Sequence, residues 1–515
     1  MHSCLNVDEI VRLIAYELVA SGGKGSAVGL ACCCESFKDP VLDALWATQD
    51  QLRPLLKSLP GDVWKGGYRV SVPTIRVFFS SLNDSIRKSF KRLPTKMEWT
   101  RFWKYARRMR RFTHFDAPSL LSLEVFSVIQ LCTANEPLFP NLKMIDLWGV
   151  RESFIPFIPL LLSLRTTLIV LKFESNLPEA MVASIVTALP TLCPNLQTIR
   201  LYSLPRDPMV TAAVSGMLVT NRNTLQEFDV DCPLTEEASE VLYKLSDLRS
   251  LSVVIERETL LPPASLPNLT DLEIICDDED DWPQLFHGAT FGKLEAATFY
   301  PHSEQLGDLL GAFERAALSS SVQYTLSSFY LSTSCSWSPN YSSLLPFVQL
   351  VDLEIEFSCH DGCSSRVDDD IVTSLSRAMP KLNYLKLGDA PCRQITTGVT
   401  TKGLVALARH CPDLSILRIH FQVASLSIPL ASPGMTPNTE STALWTGCAL
   451  TCLYVGAIPV PEESVLMVSL ALLHLFPQIE KIYGIDEGWE KVKGEIYHSR
   501  GIIDCSSKQC PLTTP

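Results

Sequence analysis

Cys193-Pro194-Asn195-Leu196-Gln197-Thr198-Ile199-Arg200-Leu201 places apolar residues at 196, 199 and 201, and that spacing returns along most of the chain. Leu142, Ile145 and Leu147 repeat it upstream. Downstream come Leu269/Leu272/Ile274, Leu350/Leu353/Ile355, Leu382/Leu385/Leu387, Leu414/Leu417/Ile419 and Leu450/Leu453/Val455. A unit this short cannot bury its apolar side alone, so recurrence at a fixed spacing implies a stacked array. The first apolar residues run 142, 168, 196, 225, 248, 269, 294, 326, 350, 382, 414, 450 and 479. The steps range from 21 to 36 residues with a mean of about 28. Met109/Phe112 reads as a degenerate earlier copy, and the last copy, Ile479/Ile482/Gly484, lacks its third apolar residue.

Each copy reads as a short strand, a turn and a helix. In Thr400-Thr401-Lys402-Gly403-Leu404-Val405-Ala406-Leu407-Ala408-Arg409-His410-Cys411-Pro412-Asp413-Leu414, the residues Leu404, Leu407 and Ala408 share a helical face. Cys411-Pro412 then ends the helix before the next strand. This segment resembles the cysteine-containing subtype of leucine-rich repeat. The fold expected from the resemblance is α/β: an irregular leucine-rich repeat solenoid, a horseshoe, over residues 109–515. A loop rich in Ser, Thr and Pro at 425–447 interrupts it, as does a shorter one at Ser332–Ser343, and the tail Ser506–Pro515 reads as frayed.

The chain has 515 residues, 46% of them hydrophobic and 19% charged, which suits several domains or an array rather than a disordered chain. Its net charge of −12 argues against a general nucleic-acid binder. No stretch reaches the roughly 18 apolar residues of a membrane span. Asp8, Glu9 and Arg12 break the apolar pattern a signal peptide would need. The expectation is a soluble intracellular protein, cytoplasmic or nuclear, in which the 17 cysteines serve mainly as small buried hydrophobes.

Residues 1–48 read as a small helical unit. Val7, Ile10, Val11, Ile14 and Leu18 fall at helical spacing behind Asn6 or Asp8 as a cap, a second helix runs near Ala27–Phe37, and Asp39-Pro40 restarts the chain into a third. Leu5-Asn6-Val7-Asp8-Glu9-Ile10, Ile14, Leu18, Val28, Ala31-Cys32-Cys33-Cys34, Phe37 and Leu45-Trp46 together resemble an F-box, with Asn6 where that family most often has proline. Leu55 to Trp64 and Glu98-Trp99-Thr100-Arg101-Phe102 to Arg110 are similar to the text that follows the F-box in mushroom-type (agaricomycete) fungal F-box proteins. Residues 49–108 then form a helical linker, and its basic run from Arg87 to Arg111 reads as the solvated side of an amphipathic helix whose other face carries Trp99, Phe102, Trp103 and Ala106. Nucleic-acid binding by that run is the weaker reading.

Chemistry-bearing candidates are few. Cys359-His360-Asp361-Gly362-Cys363 has metal-ligand residue types, but no second pair at a fixed spacing completes a zinc site. Gly22-Gly23-Lys24-Gly25-Ser26 lacks the strand and glycine spacing of a phosphate loop. The runs Asp277–Asp281 and Asp368–Asp370 lack the alternation of a calcium loop. No metal, cofactor or catalytic group is expected.

Side chains alternate along a strand, so residues between the apolar positions face the open side of the sheet. That face reads Lys172 and Arg200, then Glu227, Asp229, Asp271, Glu273, Asp352 and Glu354, then Lys386 and Arg418, with Tyr330, Tyr384 and Tyr454 interspersed. The candidate substrate-binding set is Arg200, Glu227, Asp229, Asp271, Glu273, Asp352, Glu354 and Tyr384, suited to a partner with a basic segment. What the F-box resemblance implies is a non-catalytic substrate receptor of an SCF-type cullin–RING ubiquitin ligase. It would bind a Skp-family adaptor through Leu5, Ile10, Ile14, Leu30 and Trp46 and a target through the repeats. The alternative is a leucine-rich repeat scaffold without ligase function.

Overall fold

The computed structural model describes residues 7–64, 90–114, 123–133, 136–242, 244–255, 265–276, 286, 288–301, 308–334, 339–358, 367–388, 398–426, 448–456 and 458–500. Leu5, Asn6, the Cys359–Cys363 cluster, the acidic run Asp277–Asp281, most of the 425–447 loop and the tail lie outside them. The chain divides into two compact units, Met1–Leu248 and Arg249–Pro515.

The first unit begins with three helices, α1 (Asp8–Ala20), α2 (Lys24–Cys33) and α3 (Glu35–Ala47). Val11 and Ala15 of α1, Ala27 of α2 and Phe37, Val41 and Ala44 of α3 form their shared core. The helix boundaries differ from the sequence reading. Val7 occupies the N-cap of α1 without a side-chain cap bond, and Asp8 is the first helical residue, bonded to Arg12 at 2.7 Å. Cys34 is extended and breaks the chain between α2 and α3, so Phe37 belongs to the third helix. Pro40 lies inside α3 rather than at its start. The helix gives up one backbone bond there, and burial of Pro40 and its neighbour Val41 offsets the loss.

Arg108 donates to Asp39 and Asp43 of α3, and Arg92 bridges Asp62 and Glu98, so two arginines of the basic run pair within the chain. Trp99, Phe102 and Ala106 of the helix Lys96–Ala106 are buried, as expected for the amphipathic reading. Thr95 and Glu98 complete a capping box at its start.

Six strands follow one another in parallel in this unit: β1 (Thr48–Gln49), β2 (Arg111–His114), β3 (Met144–Val150), β4 (Leu168–Phe173), β5 (Thr198–Tyr202) and β6 (Glu227–Val230). Phe112 pairs with Ile145, which makes Met109/Phe112 a true early copy. β1 straddles residue 48, the expected end of the helical unit. One register differs: Ile169 pairs with Ile199, so the copy read from Leu168 is anchored at Thr166. A threonine serves there because its buried hydroxyl is 3.2 Å from the Leu142 carbonyl, and Ser163 donates to the same oxygen.

The second unit contains β7 (Ser250–Ile255), β8 (Ser265–Leu266), β9 (Asp271–Cys276), β10 (Thr290–Phe291), β11 (Ala296–Pro301), β12 (Ser328–Ser334), β13 (Asp352–Ser358), β14 (Tyr384–Leu387), β15 (Ile416–Ile419), β16 (Cys452–Gly456) and β17 (Lys481–Gly484). Apart from β8 and β10, which pair with each other, these strands run in parallel in chain order. A backbone signature recurs: the carbonyls of Arg249, Thr270, Glu295, Ser327, Val351, Asn383, Ser415 and Thr451 each accept two consecutive N–H groups of the next copy. Apolar residues at the pairing positions point to one side and are buried, as Leu353, Leu385, Leu417 and Leu453 show. Phe286, Phe299, Phe313, Phe329 and Phe347 stack through this core.

The expected strand–turn–helix unit holds for the copies beginning at 294, 350, 382 and 450, with helices at Leu309–Ser319, Asp369–Ala378, Thr401–His410 and Val465–Leu475. The copies beginning at 248 and 269 show no helix among the described residues. In those two copies the described return segments include β8 and β10, which pair with each other. The missing apolar residue of the last copy also has a physical reason. A side chain at Gly484 would come within 2.4 Å of the Trp489 ring, so the tryptophan of the following helix, Glu487–Ser499, fills the position from outside the strand.

Candidate functional site

Of the five expected adaptor contacts, four are described. Ile14 is 38% exposed on α1, where its neighbours Leu13 and Tyr16 are also exposed at 65% and 43%, and Ile10 is half-buried on the same helix. Val28 of α2 adds a further exposed apolar side chain. Leu30 packs against the core of the three helices, and the Trp46 ring stacks on Tyr105 with centroids 4.6 Å apart. The outward apolar surface of the helical unit is therefore centred on α1.

In the first unit, the open face of the sheet brings Arg200, Glu227 and Asp229 together as expected. Arg200 donates to Glu227 at 3.0 Å, and the Tyr202 hydroxyl donates to Asp229. Two carboxylates of the expected binding set are thus engaged by the adjacent strand β5. Next to them, Lys172 lies 4.9 Å above the Trp148 ring, and Trp148 Nε1 donates to Asp146 at 2.8 Å. Burial pushes the Asp146 carboxyl up.

In the second unit, two rows on the open face can be read from the pairing. The first runs Asp271, Ala296, Ser328, Asp352, Tyr384, Ile416, Cys452 and Lys481. The second runs Glu273, Thr298, Tyr330, Glu354, Lys386, Arg418, Tyr454 and Tyr483. The acids form two groups rather than one field, because Asp271/Glu273 and Asp352/Glu354 are three strand steps apart, roughly 14 Å.

The second acidic group meets a cation. Lys386 is 4% exposed and donates to Glu354 at 2.8 Å and also to Glu356. Glu356 further accepts the Tyr330 hydroxyl at 2.5 Å. Tyr384 stands beside this cluster, and burial together with Glu354 pushes its hydroxyl up to about 12. Glu356 was missed because the sequence reading stopped at the apolar triplet. The alternation Asp352, Glu354, Glu356 was the signal that could have found it, since β13 continues to Ser358.

Beyond Lys386 the face becomes cationic and aromatic, and a pocket of about 180 Å³ opens between the ends of β14 to β17. Arg418 lies over the Tyr454 ring at 4.1 Å, and Tyr454 stacks on Tyr483 with centroids 4.5 Å apart and planes 13° from parallel. Buried His420 and half-buried Gly388 and Gly484 line the rest. Gly388 has φ +93, a conformation L side chains rarely adopt, and its backbone turns the chain away at the pocket edge. Among the described residues no group of three or more His, Cys, Asp or Glu could hold a metal ion, and no helix is long and apolar enough to cross a membrane. The arrangement is suited to holding a polypeptide: charged groups placed by pairing, an aromatic platform, and a small recess.

No family model and no curated protein matches the sequence. Among solved structures, the chain is similar to one described as the Rad7 and Elc1 complex in yeast, with 12% identity, a TM-score of 0.40, and coverage of 83% of this chain and 92% of that one. At that score the likeness carries no functional argument.

Proposed function

We propose that this chain is a substrate receptor of an SCF-type cullin–RING ubiquitin ligase. In this reading α1 to α3 are an F-box that docks on a Skp-family adaptor, and the parallel strands are leucine-rich repeats that hold a target protein. The observation that carries the proposal is the solvent-facing apolar surface of α1, with Leu13, Ile14 and Tyr16 exposed, on a helical unit followed by an array with an open polar face. Each large apolar side chain fully buried by a partner contributes roughly 1.5–3 kcal/mol, so a few of them offset the cost of association. The chain works by proximity, holding the target near a ubiquitin-charged enzyme that other subunits bring, and it supplies no catalytic group. It acts in the cytoplasm or nucleus.

The test is co-expression with a Skp-family adaptor and capture of the wild type against the double variant Ile10→Asp, Ile14→Asp. Neither isoleucine belongs to the core of the helical unit, which rests on Val11, Ala15, Ala27, Phe37, Val41 and Ala44, so the variant keeps its fold. Wild type is expected to bind and the variant to fail. Failure of the wild type would refute the ligase assignment. A scaffold without ligase function is the second reading, favoured by one feature: Trp46 is stacked on Tyr105 of its own chain.

A further inference from the structure

We propose that the pocket at the ends of β14 to β17 seats the side-chain carboxylate of a glutamate or aspartate from the target polypeptide, with Arg418 as its partner. The inference rests on the target-binding role above and names the chemistry recognised there. Arg418 is a cation of this open face that the described residues leave without a counter-charge. Its Nε is buried without a hydrogen-bond acceptor, and among the described residues no carboxylate pairs with it. A buried guanidinium N–H without an acceptor is costly, and an aromatic ring under the group does not replace one. Lying over Tyr454, the guanidinium keeps its terminal in-plane N–H donors, rather than the buried Nε, for an acceptor arriving from the side, which is the geometry a carboxylate uses.

The neighbours decide the charge of that acceptor. Lys386, one strand away, is committed to Glu354 and Glu356, so it adds no free positive charge. A single guanidinium, with Glu354 and Glu356 two strands away on the same face, suits a monoanionic carboxylate better than a dianionic phosphate. Tyr483 and Ile485, 46% and 73% exposed, supply an apolar rim against which the methylene groups of an acidic side chain can pack. The polarity of the whole open face of this unit follows. Asp271 and Glu273 suit a basic stretch of the target, while the far strands suit an acidic one, so a bound segment crosses the strands in one direction.

The experiment uses the purified full-length chain on an array of acetylated, amidated peptides, randomised around a fixed central glutamate, glutamine or phosphoserine. Wild type is expected to retain glutamate-centred peptides about tenfold better than glutamine-centred ones, the scale of one charge-assisted bond. Arg418→Gln should equalise the two sets, and Arg418→Lys should keep part of the preference. Tyr483→Ala, at an exposed position, should lower retention of both sets alike and leave their ratio unchanged. The proposal is overturned if wild type shows no glutamate preference, if Arg418→Gln keeps it, or if phosphoserine is preferred. Should Arg418→Gln fail to fold, the wild-type ratio and Arg418→Lys still decide. Adaptor capture measured on the same preparations separates the two readings: its loss in wild type sinks the ligase assignment and leaves the pocket result standing.

Discussion

Replacing Lys386 by methionine keeps most of the side-chain volume and removes the charge that holds Glu354 and Glu356 together. The ammonium is nearly fully enclosed, with its side chain 5% exposed, while the two carboxylates are each 25% exposed. Removing one partner of a buried ion pair costs about 3–5 kcal/mol, because the remaining charge stays desolvated. The residual exposure of the glutamates lets water screen part of that, so a loss of about 3 kcal/mol is expected here. For a unit of this size 1 kcal/mol moves the melting temperature by about 2–4 °C, which predicts a fall of roughly 6–12 °C. Differential scanning calorimetry on the full chain measures it. The triple variant Lys386→Met, Glu354→Gln, Glu356→Gln removes the orphaned charges and should recover most of the loss. A single variant that melts within about 2 °C of wild type, or a triple variant no better than the single, would refute the reasoning.

Two further outcomes follow from the first unit. Ile169→Ala should cost about 2–5 kcal/mol, whereas Leu168→Ala should cost far less, because Ile169 is fully buried and Leu168 is half-buried on the other side of the strand. Equal losses in urea unfolding would show that the strand is shifted by one residue. Arg92, and next the Thr95 backbone N–H, hold the Glu98 carboxyl down at about 2 against an ordinary 4.5. A depressed carboxyl contributes stability that is complete above its unfolded value and is lost as pH falls through the folded one. The melting difference between wild type and Glu98→Gln should therefore be constant above pH 4.5 and shrink toward pH 2. A difference that is flat across that range would dissolve the assigned pair.

The repeat array was legible in the chain because its cause is local. A strand buried on one side must alternate, and Leu196, Ile199 and Leu201 display that alternation wherever the copy recurs. The same logic placed Arg200, Asp271 and Glu354 on the open face, since facing is settled by a period of two. Where a copy departs from the pattern, tertiary contacts decided. Thr166 anchors its strand because two hydroxyls and one carbonyl meet there, and Gly484 is tolerated because Trp489 arrives from a later helix. Charge pairing was the larger omission. A row of acids in sequence looks like a single field, but the face is assembled from strands about 30 residues apart in the chain, and only their lateral order shows which charge meets which. That order places Lys386 between Glu354 and Arg418. Lys386 turns to Glu354 and Glu356, which takes Glu354 out of the expected acidic surface and leaves Arg418 over Tyr454 still in need of a partner. Composition and spacing determined which residues reach the open face; the stacking of the strands determined which of them remain free to bind.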